Sequence, residues 1–282
     1  MSRRPRVAFQ GEPGAFSQEA VHNLFGDSAA VLPCQRFVEV FQALASKAAD
    51  AAVVPIENTL HGSVHENYDH LLDYEVRITG ETNVRIVQNL MALPGVRFNQ
   101  VQRVYSHPVA LNQCLDFFAA HPQLETVPFY DTAGSVKMIQ EQKLRDAAAV
   151  ASSIAASIYG ARILRRSIED DRRNFTRFFL LRRAGEARKP MPRGRAWKTS
   201  IVFTTRNTPG ALFRAISAFA LRDLNLTKIE SRPLRGKPWE YRFHVEFMGQ
   251  EEDPVVKNAL NHLRELADFL RVLGSYPIGA AG

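Results

Sequence analysis

RRAGEARKPMPRGRAWK, residues 182–198, divides this chain of 282 residues in two. Two prolines and two glycines interrupt a polar, charged run between apolar segments, which is the composition of an interdomain linker. The expected organisation is a first domain over 1–185, a linker over 186–197 and a second domain over 198–282. From 182 to 195, six basic residues stand against one acid, Glu186. Together with Arg3, Arg4 and Arg6 they account for the whole net charge of +7, and the remainder is close to neutral. A nucleic-acid-binding face would be spread over a folded domain, so no nucleic-acid partner is expected.

Upstream of the linker, short apolar runs alternate with helical spacing. Strands are expected at 6–10, 51–55, 81–93, 102–106, 126–129, 147–151 and 177–182. Phe37, Val40, Phe41 and Leu44, and also Leu111, Leu115 and Phe118, recur at helical intervals. This alternation predicts an α/β architecture with mainly parallel strands. Downstream, strand, helix, strand, strand, helix and strand follow at 199–205, 209–222, 226–234, 241–248, 253–268 and 270–275. That βαββαβ order is ferredoxin-like.

A content of 45% hydrophobic and 23% charged residues is that of a globular protein. No apolar run nears the roughly 18 residues a membrane helix requires, and the N-terminus lacks an apolar signal core. Two cysteines, Cys34 and Cys114, make neither a disulfide framework nor a zinc site, so a cytoplasmic setting without membrane association is expected. Phosphate-loop, dinucleotide-binding and nucleophile-elbow motifs are missing. HENYDH, residues 65–70, looks like a metalloprotease signature. Its histidines are five apart rather than four, however, so they diverge around a helix, and no metal is expected there.

Strand ends repeatedly lead into loops rich in hydroxyls and amides: GEPGAFS (11–17), ENT (57–59), SHP (106–108), DTAGS (131–135) and SS (152–153). In open α/β sheets ligands bind beyond the carboxyl ends of strands, where helix N-termini favour anions. A small carboxylate-bearing ligand suits these loops. NFTRFFLL, residues 174–181, is unusual in placing Arg177 beside two phenylalanines, and a pairing of Arg177 with Asp170 or Asp171 would be one explanation.

GEPGAFSQEA, PIENTLHGSV, SHPVALNQC, DTAGSV, AVASSIAASIYG and NFTRFFLL, in this order, resemble the prephenate dehydratases. TPGALF (208–213) and ESRP (230–233) resemble the phenylalanine-binding motifs of the ACT domain that follows in that family. The resemblance implies two α/β lobes of periplasmic-binding-protein type with the site between them, followed by a ferredoxin-like ACT domain. It implies decarboxylating dehydration of prephenate to phenylpyruvate without metal or organic cofactor. The implied catalytic residues are Thr176, Arg177, Asn58, Ser106 and Gln113, with Arg177 or a water strengthening Thr176 as a donor. Thr59, His107, Thr132, Ala133, Ser135 and Phe178 are implied to bind substrate. Gly210, Ala211, Leu212, Glu230, Ser231, Arg232 and Pro233 are implied to bind L-phenylalanine as allosteric effector, in a homodimer or homotetramer. Val109 and Thr59 depart from the common pattern, where glutamine and serine stand. Arogenate dehydratase shares these motifs, and a non-catalytic sensor of amino or aromatic acids is a rival of another class.

Overall fold

The computed structural model describes residues 3–186, 196–234, 236 and 240–279. Most of the expected linker, and the last residues of the domain expected to reach 282, lie outside the described residues. The chain separates into two compact units, Met1–Tyr74 with Thr82–Leu180, and Glu75–Glu81 with Leu181–Gly279.

The chain begins β1 (Arg6–Gln10), α1 (Phe16–Phe25), β2 (Ala30–Cys34), α2 (Phe37–Ala45), β3 (Ala51–Asn58), β4 (Gly62–Ser63), α3 (His65–Asp73) and β5 (Val76–Arg85), of which 76–81 belong to the second unit. It continues with β6 (Asn89–Ala92), β7 (Arg103–Ser106), α4 (Pro108–Asn112), α5 (Leu115–Ala119), β8 (Glu125–Pro128) and α6 (Thr132–Glu141). Then come β9 (Ala147–Ala151), α7 (Ser153–Tyr159), β10 (Arg162–Arg165) and β11 (Phe175–Arg183). Two sheets result, ordered β2-β1-β3-β11-β5, with β4 paired to β3, and β10-β6-β9-β7-β8. The chain passes to the second sheet over 86–88 and returns over 166–174, so each sheet is the centre of one lobe.

Each lobe has its own core. Val7, Phe9, Val53, Val84 and Phe178 fill the first. In the second, β9 is buried along its whole length as AAAVA, and its small side chains let Val136 and Ile139 of α6 pack against it. The loop after β1 belongs to both lobes. Ala15 joins the core of the second, and Ser152 Oγ donates to the Gly14 carbonyl at 2.6 Å. Gly14 has φ +92°, and a Cβ there would stand 2.7 Å from Ala155 Cα. Gly14→Ala is therefore expected to cost about 1–3 kcal/mol, read as a lower midpoint of chemical unfolding.

The sheets correct the sequence reading in three places. The strand expected over 81–93 is two strands in different sheets. At the break, the Ile86 N–H donates to the Asn174 carbonyl and the Gln88 N–H to Glu169 Oε2, so the ladder is left. Buried positions continue on both sides of the break, in ETNVR as in NLMA, and period alone does not report a change of sheet. The second sheet is mixed rather than mainly parallel, because β6 runs antiparallel to both β9 and β10. The edge strands β2 and β10 were not expected, since both are largely exposed and β2 contains Pro33. No helix among the described residues is long and apolar enough to cross a membrane.

The second unit contains β12 (Trp197–Thr204), α8 (Ala211–Ala220), β13 (Leu226–Pro233), β14 (Tyr241–Met248), α9 (Pro254–Leu266) and β15 (Phe269–Pro277). Its sheet runs β13-β14-β12-β15, all antiparallel, the ferredoxin-like order. Val256, Ala259, Leu260 and Leu263 of α9 recur on one face and meet Ala215, Ala218 and Phe219 of α8 over Ile201, Phe203, Val245 and Phe247. Lys198 lies between two carboxylates, with Nζ 3.0 Å from Glu81 Oε1 and 3.7 Å from Glu246 Oε2.

Candidate active site

Between the two lobes of the first unit lies a cavity of about 360 Å³. The first lobe contributes Gln10, Ser17, Asn58, His61, Thr176 and Phe178. The second contributes His107, Ala110, Gln113, Tyr130, Asp131 and Thr132, and the crossing segment adds Ile86 and Gln88. Strand ends supply most of these residues. Asn58 closes β3, Thr176 opens β11, His107 follows β7 as the N-cap of α4, and Asp131 caps α6.

Asn58 is the hub. Its Nδ2 lies 2.9 Å from Thr176 Oγ1, 2.8 Å from Asn174 Oδ1 and 3.2 Å from the Phe175 carbonyl. Its Oδ1 accepts from the N–H groups of Leu60 and His61 and lies 3.1 Å from His61 Nδ1. Thr176 thus receives an N–H on its oxygen, which polarises the hydroxyl and makes it a stronger donor toward the cavity. His107 Nδ1 accepts from the Val109 N–H at 3.2 Å, which leaves Nε2 as the nitrogen carrying the proton. Burial pushes the Asp131 carboxyl up from its usual range, opposed by hydrogen bonds from backbone N–H groups, chief among them that of Gly134. Glu12, across the cleft, accepts from Tyr130 Oη at 3.0 Å and from Lys137 Nζ at 3.2 Å.

Of the residues expected from sequence, Thr176, Asn58, Gln113, His107, Thr132 and Phe178 line this one cavity. Five do not. Ser106 is fully buried and donates its hydroxyl to the Val150 carbonyl at 2.7 Å, tying β7 to β9. Ala133 and Ser135 are buried within α6, where Ser135 Oγ donates to the Thr132 carbonyl at 2.6 Å. Thr59 Oγ1 donates to the Arg173 carbonyl at 2.8 Å and accepts from the Phe175 N–H at 3.0 Å, pinning the start of β11. Arg177 follows Thr176 in a strand and so faces the other side. It meets Glu57 at 2.9 Å and lies 5.2 Å from the centre of the Phe179 ring. The pairing with Asp170 or Asp171 is replaced by Glu57, and Asn58, not Arg177, contacts the threonine oxygen. Asp170 instead receives the N–H groups of Leu115 and Asp116 at the start of α5.

His61 and Gln88 line the cavity without having been singled out for it. For His61 a signal existed in its position three residues after Asn58. Gln88 had none, because it sits where the chain changes sheet. In α3, His70 packs 5.1 Å from the Phe41 ring and 3.4 Å from Glu66, a structural role. Among the described residues no group of three or more His, Cys, Asp or Glu is placed to hold a metal.

In the second unit, Gly210 is the left-handed N-cap of α8 with φ +76°, and Ala211 and Leu212 begin that helix. A Cβ on Gly210 would stand 3.2 Å from a guanidinium nitrogen of Arg214, which also donates to the Pro209 carbonyl. Glu230, Ser231, Arg232 and Pro233 end the edge strand β13, with Glu230 3.3 Å from Lys228 Nζ.

A two-lobed α/β cleft lined by hydroxyl, amide and imidazole groups, carried with a βαββαβ unit, defines a cleft-bearing α/β protein with an appended ferredoxin-like domain. Residues 7–186 match the family model of prephenate dehydratase, and residues 199–265 match that of the ACT domain. A relative named arogenate dehydratase/prephenate dehydratase 2, chloroplastic, from Arabidopsis thaliana is 46% identical over 287 residues, covering 98% of this chain and 73% of its own. Among solved structures, a prephenate dehydratase from Arthrobacter aurescens in complex with L-Phe is 32% identical with a TM-score of 0.87, over 96% of this chain and 89% of that one. A chain described as GqqA, a novel type of quorum quenching acylase, is 33% identical with a TM-score of 0.89, over 98% of each. The chain belongs to the prephenate dehydratase family and is a lyase with dehydratase activity.

Proposed function

We propose that the chain converts prephenate to phenylpyruvate, under feedback inhibition by L-phenylalanine at the ACT domain, as a cytoplasmic homodimer or homotetramer. The observation that carries this reading is Thr176 Oγ1 on the cavity wall, accepting the Asn58 amide at 2.9 Å. In the reaction the bond from the ring to its carboxylate breaks and releases CO2. That electron pair enters the ring, and the C4–O bond breaks as the hydroxyl departs. The departing oxygen gains a proton that comes ultimately from solvent, so water leaves and an aromatic ring remains. A threonine hydroxyl is too weak an acid to give up its proton outright, so Thr176 acts as a hydrogen-bond donor to the oxygen as its negative charge develops. Gained aromaticity supplies the driving force. Thr132, His107 and Gln113 offer hydrogen-bond donors to the substrate's carboxylates.

Arogenate carries the same ring and would yield phenylalanine directly. The names of the relatives, and a cavity lining without Lys or Arg among the described residues, support it as a second substrate. Purified protein mixed with each substrate should form phenylpyruvate from prephenate and phenylalanine from arogenate. Millimolar L-phenylalanine should slow either reaction, and size-exclusion chromatography should give a dimer or tetramer. Formation of neither product would end this reading.

A further inference from the structure

Gln88 is 1% exposed, yet it lines the cavity on the segment that crosses between the lobes. Its main chain is fixed on both sides, since its N–H donates to Glu169 Oε2 at 2.9 Å and its carbonyl accepts from the Ile168 N–H at 2.9 Å. Its side-chain Nε2 donates to Gln113 Oε1 at 2.9 Å, which holds the amide plane in place. Gln88 Oε1 is left without a hydrogen-bond partner among the described residues. Buried amide oxygens are seldom unpaired in folded proteins, and a cavity wall is where a ligand supplies the missing donor. The charges of the lining point the same way. Asp131 is its one carboxylate among the described residues, and neither Lys nor Arg accompanies it.

The two substrates compared above differ at one position, where prephenate has a keto oxygen and arogenate an ammonium. A ketone brings only lone pairs to an unpaired acceptor, whereas an ammonium brings three N–H donors and a positive charge. We infer that Gln88 is a specificity-determining residue that accepts a hydrogen bond from the ammonium of arogenate, so that the cavity prefers the amino acid to the keto acid. The inference rests on the dehydratase reading of the site.

The test is steady-state kinetics of the full chain with both substrates, read as the ratio of kcat/KM for arogenate to that for prephenate. The unaltered chain is expected to give a ratio above one. Gln88→Met keeps the length and removes both the acceptor and the donor to Gln113, and is expected to lower the ratio at least about 10-fold, because the loss of the contact to Gln113 falls on both substrates alike. Gln88→Glu keeps an acceptor and adds a charge, and is expected to retain or raise the ratio. Because both substrates meet the same preparation, partial loss of folded protein cancels. Equal losses on the two substrates in Gln88→Met would overturn the inference, since the amide would then serve a feature common to both, such as the ring hydroxyl. An unchanged ratio in that variant would overturn it too. Turnover of neither substrate by the unaltered chain would instead remove the dehydratase reading and this inference with it, an outcome distinct from a lost preference.

Discussion

Thr176→Val is expected to lower kcat by at least about 10², with KM for the substrate little changed. Loss of one preorganised donor to a developing oxyanion costs about 10² to 10³ in rate, and positioned proton donation is worth about 10² to 10⁴. Valine keeps the branched shape at the start of β11, so the strand and its neighbour Phe178 stay in place. What disappears is the hydroxyl, and with it the partner of one Asn58 N–H. A loss confined to kcat identifies an interaction made in the transition state rather than on binding. Asn58→Ala should also slow the reaction, and the double variant should be little worse than Thr176→Val alone if the amide acts through the hydroxyl. Near-normal kcat in Thr176→Val would take the threonine out of the chemistry.

Lys198→Met is expected to destabilise the second unit by about 3–5 kcal/mol. The Lys198 side chain is 12% exposed, and those of Glu81 and Glu246 are 2% and 5% exposed. Removing the ammonium takes away the cation that both carboxylates share in a site with little water, and methionine fills the volume without replacing its charge. The Gly279 N–H, 3.2 Å from Glu81 Oε1, is a neutral donor and does not replace a cation. Denaturant unfolding followed by intrinsic fluorescence measures the loss. Adding Glu81→Gln and Glu246→Gln to Lys198→Met should recover most of it, because a neutral cluster no longer needs a cation. A loss below about 1 kcal/mol would mean that the carboxylates are solvated after all.

Much of this was legible in the sequence, and what was not has physical reasons. In the second unit every expected strand and helix is present with its ends within a few residues, because alternating apolar positions and Pro254 mark them. Asn58 and Thr176 are brought to one cavity because each lies at a strand end, and Gln113 because the short helix α4, which follows β7, ends there. Ser106 ends β7 and Ser135 lies in the first turn of α6, yet both turn inward to backbone carbonyls, a choice that depends on which neighbouring carbonyl lacks a donor. Arg177 was assigned by adjacency, although alternation along a strand sends neighbours to opposite faces. Gln88 reaches the site through a crossing between sheets that no local pattern encodes, whereas His61 is held locally on Asn58 Oδ1.

The insertion of β11 between β3 and β5 sets a timetable for the nascent chain. Both flanking strands leave the ribosome early, and their shared partner follows β5 only after about 90 further residues, roughly 5 to 20 s of elongation. The second lobe can close during that interval, with Ala15 already made and available to its core. The first lobe meanwhile keeps two bare strand edges, so the demand for chaperone shelter should fall in this window and end when the segment that carries Thr176 emerges.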